Sequence, residues 1–266
     1  MILLLGGVGG TAQIATAIAE QGYRVLVSKA TSVPLDVGRH ANIESRCGPL
    51  DEAGLLDLLA KRKVSAIVDA THPYATTIRD LANRVANQAG IPYLTFVRPP
   101  AIDASEPDVE FAADHAAAAR AAFVYDRPVL LTTGTRHLSP YTAESQRTGV
   151  ALVVRVLESP ESREACRQAG IADDRIIAGR GPFSVEDNRR HIRQFGIGVL
   201  VTKDSGRQGG TLEKLRAARE ENCRVVVVQR PELGNCGESG HAASPEQAMA
   251  FTDVGELLLA LRERVR

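Results

Sequence analysis

The chain has 266 residues, more than one average domain and fewer than two large ones, which leaves one big α/β unit or two compact halves. Its 32 Lys+Arg balance 32 Asp+Glu, which excludes the diffuse basic footprint of a sequence-independent nucleic-acid binder, and 44% hydrophobic with 24% charged residues is ordinary globular usage. Cys47, Cys166, Cys223 and Cys236 are scattered with no C-x-x-C pair, so neither a metal site nor a disulfide framework is indicated and a reducing cytosol is expected.

The apolar start has no basic n-region and is broken at Gly6, unlike an export signal, and no window approaches the roughly 18 apolar residues of a membrane span. The expectation is a cytoplasmic protein without a membrane partner. Short Val/Ile/Leu-rich runs then alternate with segments of helical spacing, the signature of βαβ units around a parallel sheet. In chain order the predicted strands cover residues 2–5, 24–28, 66–69 and 93–97, then 129–132, 151–157, 175–178, 198–202 and 224–229. Predicted helices cover 11–21, 51–61, 76–89, 114–123, 160–169, 185–195 and 211–221, with a last one near 253–264. Three prolines in the ten residues from Arg98 through Pro107 forbid a helix and disfavour a central strand, so a linker falls there. A second soft region spans 233–245. The expected fold is α/β: two Rossmann-like domains with mainly parallel sheets and a cleft between them, residues 1–100 and 101–266, the latter ending in a tail helix.

Gly7, Gly9 and Ala12 satisfy G-x-G-x-x-G/A between the first strand and a helix opened by Thr11, where small residues let a pyrophosphate approach the positive end of the helix. The alternative is a tight turn that binds nothing. The end of the second strand carries Ser28, Lys29 and Thr31 and no carboxylate before Asp36; a lysine with hydroxyls suits a 2′-phosphate, favouring NADPH, with NADH as the alternative. Lys29 as a merely solvated charge stays open. The loop Asp69-Ala-Thr-His-Pro-Tyr-Ala75 places His72 and Tyr74 at a carboxyl sheet edge as candidate proton donors, or else as a helix cap and a packing ring.

Three strand ends in the second half carry polar strings. The first is Thr132-Thr-Gly-Thr-Arg136, with Thr135 and Arg136 as candidates. The second runs from Gly179 through Arg180 and Gly181 to Ser184, a predicted helix cap. The third is 202–210, with Ser205, Gly206 and Gly209 as binding candidates and Lys203 and Asp204 as catalytic ones. The stretch 112–122 and the run Arg189-Arg-His191 are expected to be an exposed helix and a solvated face.

DATHPYA at 69–75, TTGTR at 132–136, GPFS-x-E-x-N at 181–188 and VTKDSG-x-x-GG-x-x-EKL at 201–215, in that order, strongly resemble the precorrin-6A reductase family, including its cobalt-precorrin-6A branch. The resemblance implies an oxidoreductase of cobalamin biosynthesis that reduces one double bond of a corrin-precursor macrocycle with a hydride from NADPH. Two departures stand out. The family's first loop commonly reads GGT with an acidic or small residue and Arg next, whereas here Gly6 and Gly7 are followed by Val8, and Arg180 stands where Gln is common. A polycarboxylate macrocycle needs several anion holders, for which Arg136, Arg180, Lys203 and the helix starts after Gly134, Gly181 and Gly209 are the candidates. Residues 126–231, which hold these strings, carry 18 basic and 13 acidic side chains, so the positive excess sits where a polyanion would bind. Rival readings are another NAD(P)H-dependent oxidoreductase on an acidic small molecule and a non-catalytic dinucleotide sensor. A monomer and a homodimer are both open.

Overall fold

A computed structural model describes residues 1–7, 9–30, 35–103, 105–106, 108–206, 209–231 and 248–265. The predicted soft region 233–245 and Thr31 lie outside the described residues. The chain divides into two units, residues 1–99 with 231–266, and residues 100–230.

Unit 1 contains β1 (Ile2–Leu5), α1 (Thr11–Glu20), β2 (Val25–Lys29), β3 (Ile43–Cys47), α2 (Glu52–Arg62), β4 (Ala66–Asp69), α3 (Thr76–Ala89) and β5 (Tyr93–Phe96). Its strands are all parallel in the order β3-β2-β1-β4-β5-β12, where β12 (Ala248–Phe251) comes from the tail. Strands buried on both faces need no polar alternation, which is why β1 reads as an unbroken apolar run. Ile2 and Leu4 face a core shared with Ile14 and Ile18 of α1 and Leu257 and Leu261 of α9 (Val254–Arg264). Leu3 and Leu5 face the opposite core, with Leu55 and Leu59 of α2 and Val85 of α3.

Unit 2 contains β6 (Val109–Ala112), α4 (His115–Phe123), β7 (Val129–Leu131), α5 (Ser139–Thr148), β8 (Leu152–Val156), α6 (Pro160–Gln168), β9 (Ile176–Ala178), α7 (Val185–Gln194), β10 (Val199–Lys203), α8 (Thr211–Glu220) and β11 (Arg224–Val228). This second parallel sheet runs β6-β11-β10-β7-β8-β9. Leu130, Val153, Leu200 and Val225 pack with Ile192 of α7 and Leu215 of α8. On the remaining elements, α4 packs on β10 and β11, and α5 on β8.

The tail corrects the expected boundary of the second domain at 266. β12 pairs in register with β5, Ala248 with Tyr93 and Phe251 with Phe96, and α9 completes the unit 1 core. Three strands escaped the sequence pattern: β3, β6 and β12. All three are edge strands, paired on one side only, so a continuous apolar run is not required of them. α5 also escaped, because Tyr141 is its one buried side chain and no apolar stripe marks it.

Candidate active site

In unit 1 the chain leaves β1 towards β2 and β3, and leaves β4 towards β5 and β12, so the topological switch point lies between β1 and β4. Open α/β sheets bind ligands at the carboxyl ends of such a strand pair. The glycine loop follows β1 and the His72–Tyr74 loop follows β4, so both motifs meet at this edge.

The glycines are needed for separate reasons. Gly7 has φ 139°, and Gly10, which caps α1, has φ 90°, both in the region side chains avoid. A Cβ on Gly6 would sit 2.5 Å from Thr11 Cγ2. Gly7 and Gly9 are exposed, whereas Thr11 is buried and its hydroxyl accepts from the Gly7 amide at 3.4 Å, so Thr11 holds the loop. Ala12 lies beside an open cavity of about 580 Å³ along α1, lined also by Gln13, Thr16, Asp36 and Arg39, which is not at the strand ends. Ser28 is buried and accepts from Arg46 Nη1 at 2.7 Å, while Lys29 ends β2 half-buried. The arginine beside Ser28 was not foreseen, since it comes from the unpredicted edge strand β3.

Asp69 is buried and accepts from Thr71 N at 2.8 Å, Tyr93 Oη at 2.7 Å and Arg79 Nε at 3.3 Å. These bonds fix the loop that presents His72 and Tyr74. Burial, with the carboxylate of Asp69 alongside, pushes the Tyr93 phenol far above its ordinary range. His72 Nδ1 accepts from Tyr74 N at 3.3 Å, which places the proton of the neutral ring on Nε2, and the two rings lie 5.5 Å apart.

Unit 2 has its own switch point between β7 and β10, which TTGTR and KDSG follow. Lys203 ends β10 half-buried, and burial followed by the neighbouring Arg136 lowers its ammonium to about 8. Arg136 is exposed and Thr135 half-buried. Asp204 is 5% exposed, and its carboxylate accepts from the amides of Ala101 (3.0 Å), Ile102 (3.3 Å) and Gly206 (2.9 Å) and from Arg230 Nη2 (3.1 Å). An acceptor so surrounded by donors anchors backbone. Gly206 has φ 79°, and Ser205 N donates to Thr211 Oγ1 at 3.2 Å.

The third string comes from the sheet edge. Arg180 and Gly181 are exposed beyond β9, and a Cβ on Gly210, which precedes α8, would lie 3.2 Å from Pro182, so this string abuts the KDSG turn. Gly209 sits against Ser205, with a Cβ there only 2.3 Å from Ser205 Cβ. Ser184 and Asp187 cap α7 reciprocally, so the α7 N-terminus is satisfied by its own side chains and is a weaker anion holder than the sequence suggests. Behind it, the buried Arg155 donates to Asn188 Oδ1 at 2.7 Å and lies 4.3 Å above the Phe183 ring. His191, expected on a solvated face, is buried with its ring 5.6 Å from Phe183.

One regularity ties the two units together. Among the described residues, α2, α4, α6, α7 and α9 have side-chain N-caps, whereas α1, α3, α5 and α8 have none. The four without caps are those that follow β1, β4, β7 and β10, the two switch-point pairs. Their N-cap residues give the first turn no side-chain hydrogen bond, and two begin after a left-handed glycine, Gly10 and Gly210, which lets a ligand approach closely.

Of the four catalytic candidates, His72 and Tyr74 belong to unit 1 and Lys203 and Asp204 to unit 2. His115 and His137 were missed. His115 opens α4 and His137 follows Arg136, and their rings stack at 4.2 Å and 15° beside Lys203. Their spacing of 22 residues carries no local signal. No group of three or more His, Cys, Asp or Glu side chains suited to a metal occurs among the described residues, and no helix there is long and apolar enough to cross a membrane.

Residues 1–254 match the family model described as Precorrin-6x reductase CbiJ/CobK. The chain is 32% identical over 235 residues to a cobalt-precorrin-6A reductase of Priestia megaterium, covering 88% of this chain and 91% of that one. It is 29% identical to a precorrin-6A reductase of Rhodobacter capsulatus, over 87% of this chain and 88% of that one. The solved structure of a CobK precorrin-6A reductase superposes with a TM-score of 0.77 at 26% identity, covering 99% of this chain and 96% of that one.

Proposed function

Because the chain belongs to the precorrin-6x reductase CbiJ/CobK family, an oxidoreductase family acting on a carbon–carbon double bond in cobalamin biosynthesis, we propose that unit 1 holds its nicotinamide cofactor as NADPH and unit 2 holds the precorrin-6A macrocycle. The observation that carries this reading is that, among the described residues, every α-helix without a side-chain N-cap follows a strand of one of the two switch-point pairs, one pair in each unit.

The residues of unit 1 fit a dinucleotide. The amides of Gly9 and Gly10 at the start of α1 would take the pyrophosphate, with the Gly7 amide held by Thr11. Lys29 and Arg46, the latter donating to Ser28, with no carboxylate on that strand end, would take a 2′-phosphate, which favours NADPH over NADH. Bound there, the cofactor supplies the hydride. Thr11 and Asp69 keep the two loops in place, and His72 and Tyr74 are poised at the same edge to orient a polar group or hold a proton.

In unit 2, Arg136, Lys203 and the exposed Arg180, with the amides after Gly134 and Gly210, would hold carboxylates; Thr135, Ser205, Gly206 and Gly209 would shape the same rim. Positioning then dominates catalysis, since the reaction asks mainly that a donor carbon and an acceptor carbon be kept in register. Anaerobic mixing of the purified protein with NADPH and precorrin-6A should show coupled loss of NADPH absorbance and a change in the macrocycle spectrum. NADPH consumption without a macrocycle change, or no consumption where a known relative turns over, would sink the assignment.

A further inference from the structure

Reduction of a double bond requires a hydride at one atom and a proton at its neighbour. Among the candidates in unit 2, Asp204 is excluded as the proton source, because both its oxygens accept from backbone amides and one also from Arg230. The stacked histidines at the same switch point have the opposite character. His115 is anchored: its Nδ1 lies 2.9 Å from the hydroxyl of Tyr141, a side chain buried completely in α5. His137 lies flat on that fixed ring at 4.2 Å and is exposed, next in sequence to Arg136.

We propose that His137, seated on His115 and flanked by Arg136 and Lys203, is the group that takes up a proton when a polycarboxylate macrocycle binds and passes it to the atom adjoining the one that receives the hydride. The inference rests on the reading of unit 2 as the macrocycle site. The balance is simple: the double bond gains a hydride from the reduced nicotinamide and a proton from the imidazolium, the nicotinamide is left oxidised and His137 neutral, and water restores its proton.

The groups around the pair give this behaviour its sign. Burial and then the positive charge of Lys203 lower both imidazoles, His115 to about 4, with Arg136 adding to the effect on His137. Asp114 opposes it at His115, and Tyr141, its phenol pushed well above the ordinary range, stays a neutral hydrogen-bond partner. The free pair is therefore neutral at pH 7. Carboxylates that neutralise Arg136 and Lys203 remove the repulsion, so binding and protonation are coupled.

Uroporphyrin, a flat octacarboxylate, serves as the probe. Titration calorimetry at pH 7 in buffers of different ionisation enthalpy should show net uptake of about half a proton by the wild-type enzyme. In His137→Gln that uptake should vanish while probe affinity stays within about 3-fold, and kcat with precorrin-6A should fall by about 10²-fold or more with little change in KM. His115→Gln should give a smaller loss. Absence of proton uptake in the wild-type enzyme, or unchanged kcat in His137→Gln, overturns the proposal. Failure of uroporphyrin to bind the wild-type enzyme, or binding indifferent to Arg136→Met and Lys203→Met, instead overturns the macrocycle reading of unit 2 and takes this inference with it.

Discussion

Arg230 clasps Asp204 at two points: its Nη2 donates to Oδ1 at 3.1 Å and its Nε to the main-chain carbonyl of the same residue at 2.9 Å. The same carboxylate receives the amides of Ala101 and Ile102. The chain passes between the units after Pro99 and again after Arg230, so both passages are anchored on one side chain within unit 2. Asp204→Asn should therefore destabilise unit 2 by about 3–5 kcal/mol, the usual consequence of leaving one member of a buried ion pair alone. Urea unfolding followed by circular dichroism measures it. A loss of turnover with stability changed by less than about 1 kcal/mol would point to a chemical role instead.

The cofactor loop can be tested apart from the chemistry. Gly10→Ala imposes a Cβ on a left-handed position at a cost of about 1–2 kcal/mol. Dissociation constants from NADPH fluorescence should rise about tenfold or more, while uroporphyrin binding is retained. Unchanged nucleotide affinity would remove unit 1 as the cofactor site.

Lys214 lies 9% exposed with its ammonium on the Gly209 carbonyl at 3.4 Å, and burial, aided by Arg155, lowers it to about 8 from the ordinary 10.5. Its burial penalty is fully present below pH 8 and disappears as pH rises to 10.5, because in that window the unfolded chain binds more protons and stability climbs with pH. Lys214→Met should stabilise the protein at pH 7 by roughly 2–3 kcal/mol, with a gain that shrinks at pH 9.5. Equal gains at the two pH values would refute the titration.

Leu257 of α9 is completely buried against the unit 1 sheet. Leu257→Ala should cost about 2–5 kcal/mol and, on nicking by protease, release fragments from unit 1 before unit 2. If unit 2 were cut first, the tail would stabilise the other half.

What was legible in the sequence follows from local physics. β1, β4, β10 and β11 are buried on both faces and must be apolar runs, and the glycines around Gly7 and Gly206 mark turns no other residue makes cheaply. The strings around His72, Thr135, Gly181 and Lys203 could therefore be found and assigned to strand ends before any coordinates. The edge strands β3, β6 and β12 could not, since none of them is a Val/Ile/Leu-rich run, unlike the edge strand β9 with Ile176 and Ile177.

The sequence alone thus determined the strand–helix alternation, the site-bearing loops and the family, because each is written in short windows of the chain. Tertiary structure alone decided that the tail returns to unit 1, that Asp204 anchors both chain passages, and that His115 meets His137 beside Lys203. Those contacts join residues 22 to more than 100 positions apart, and no periodicity of 2 or 3.6 residues extends that far.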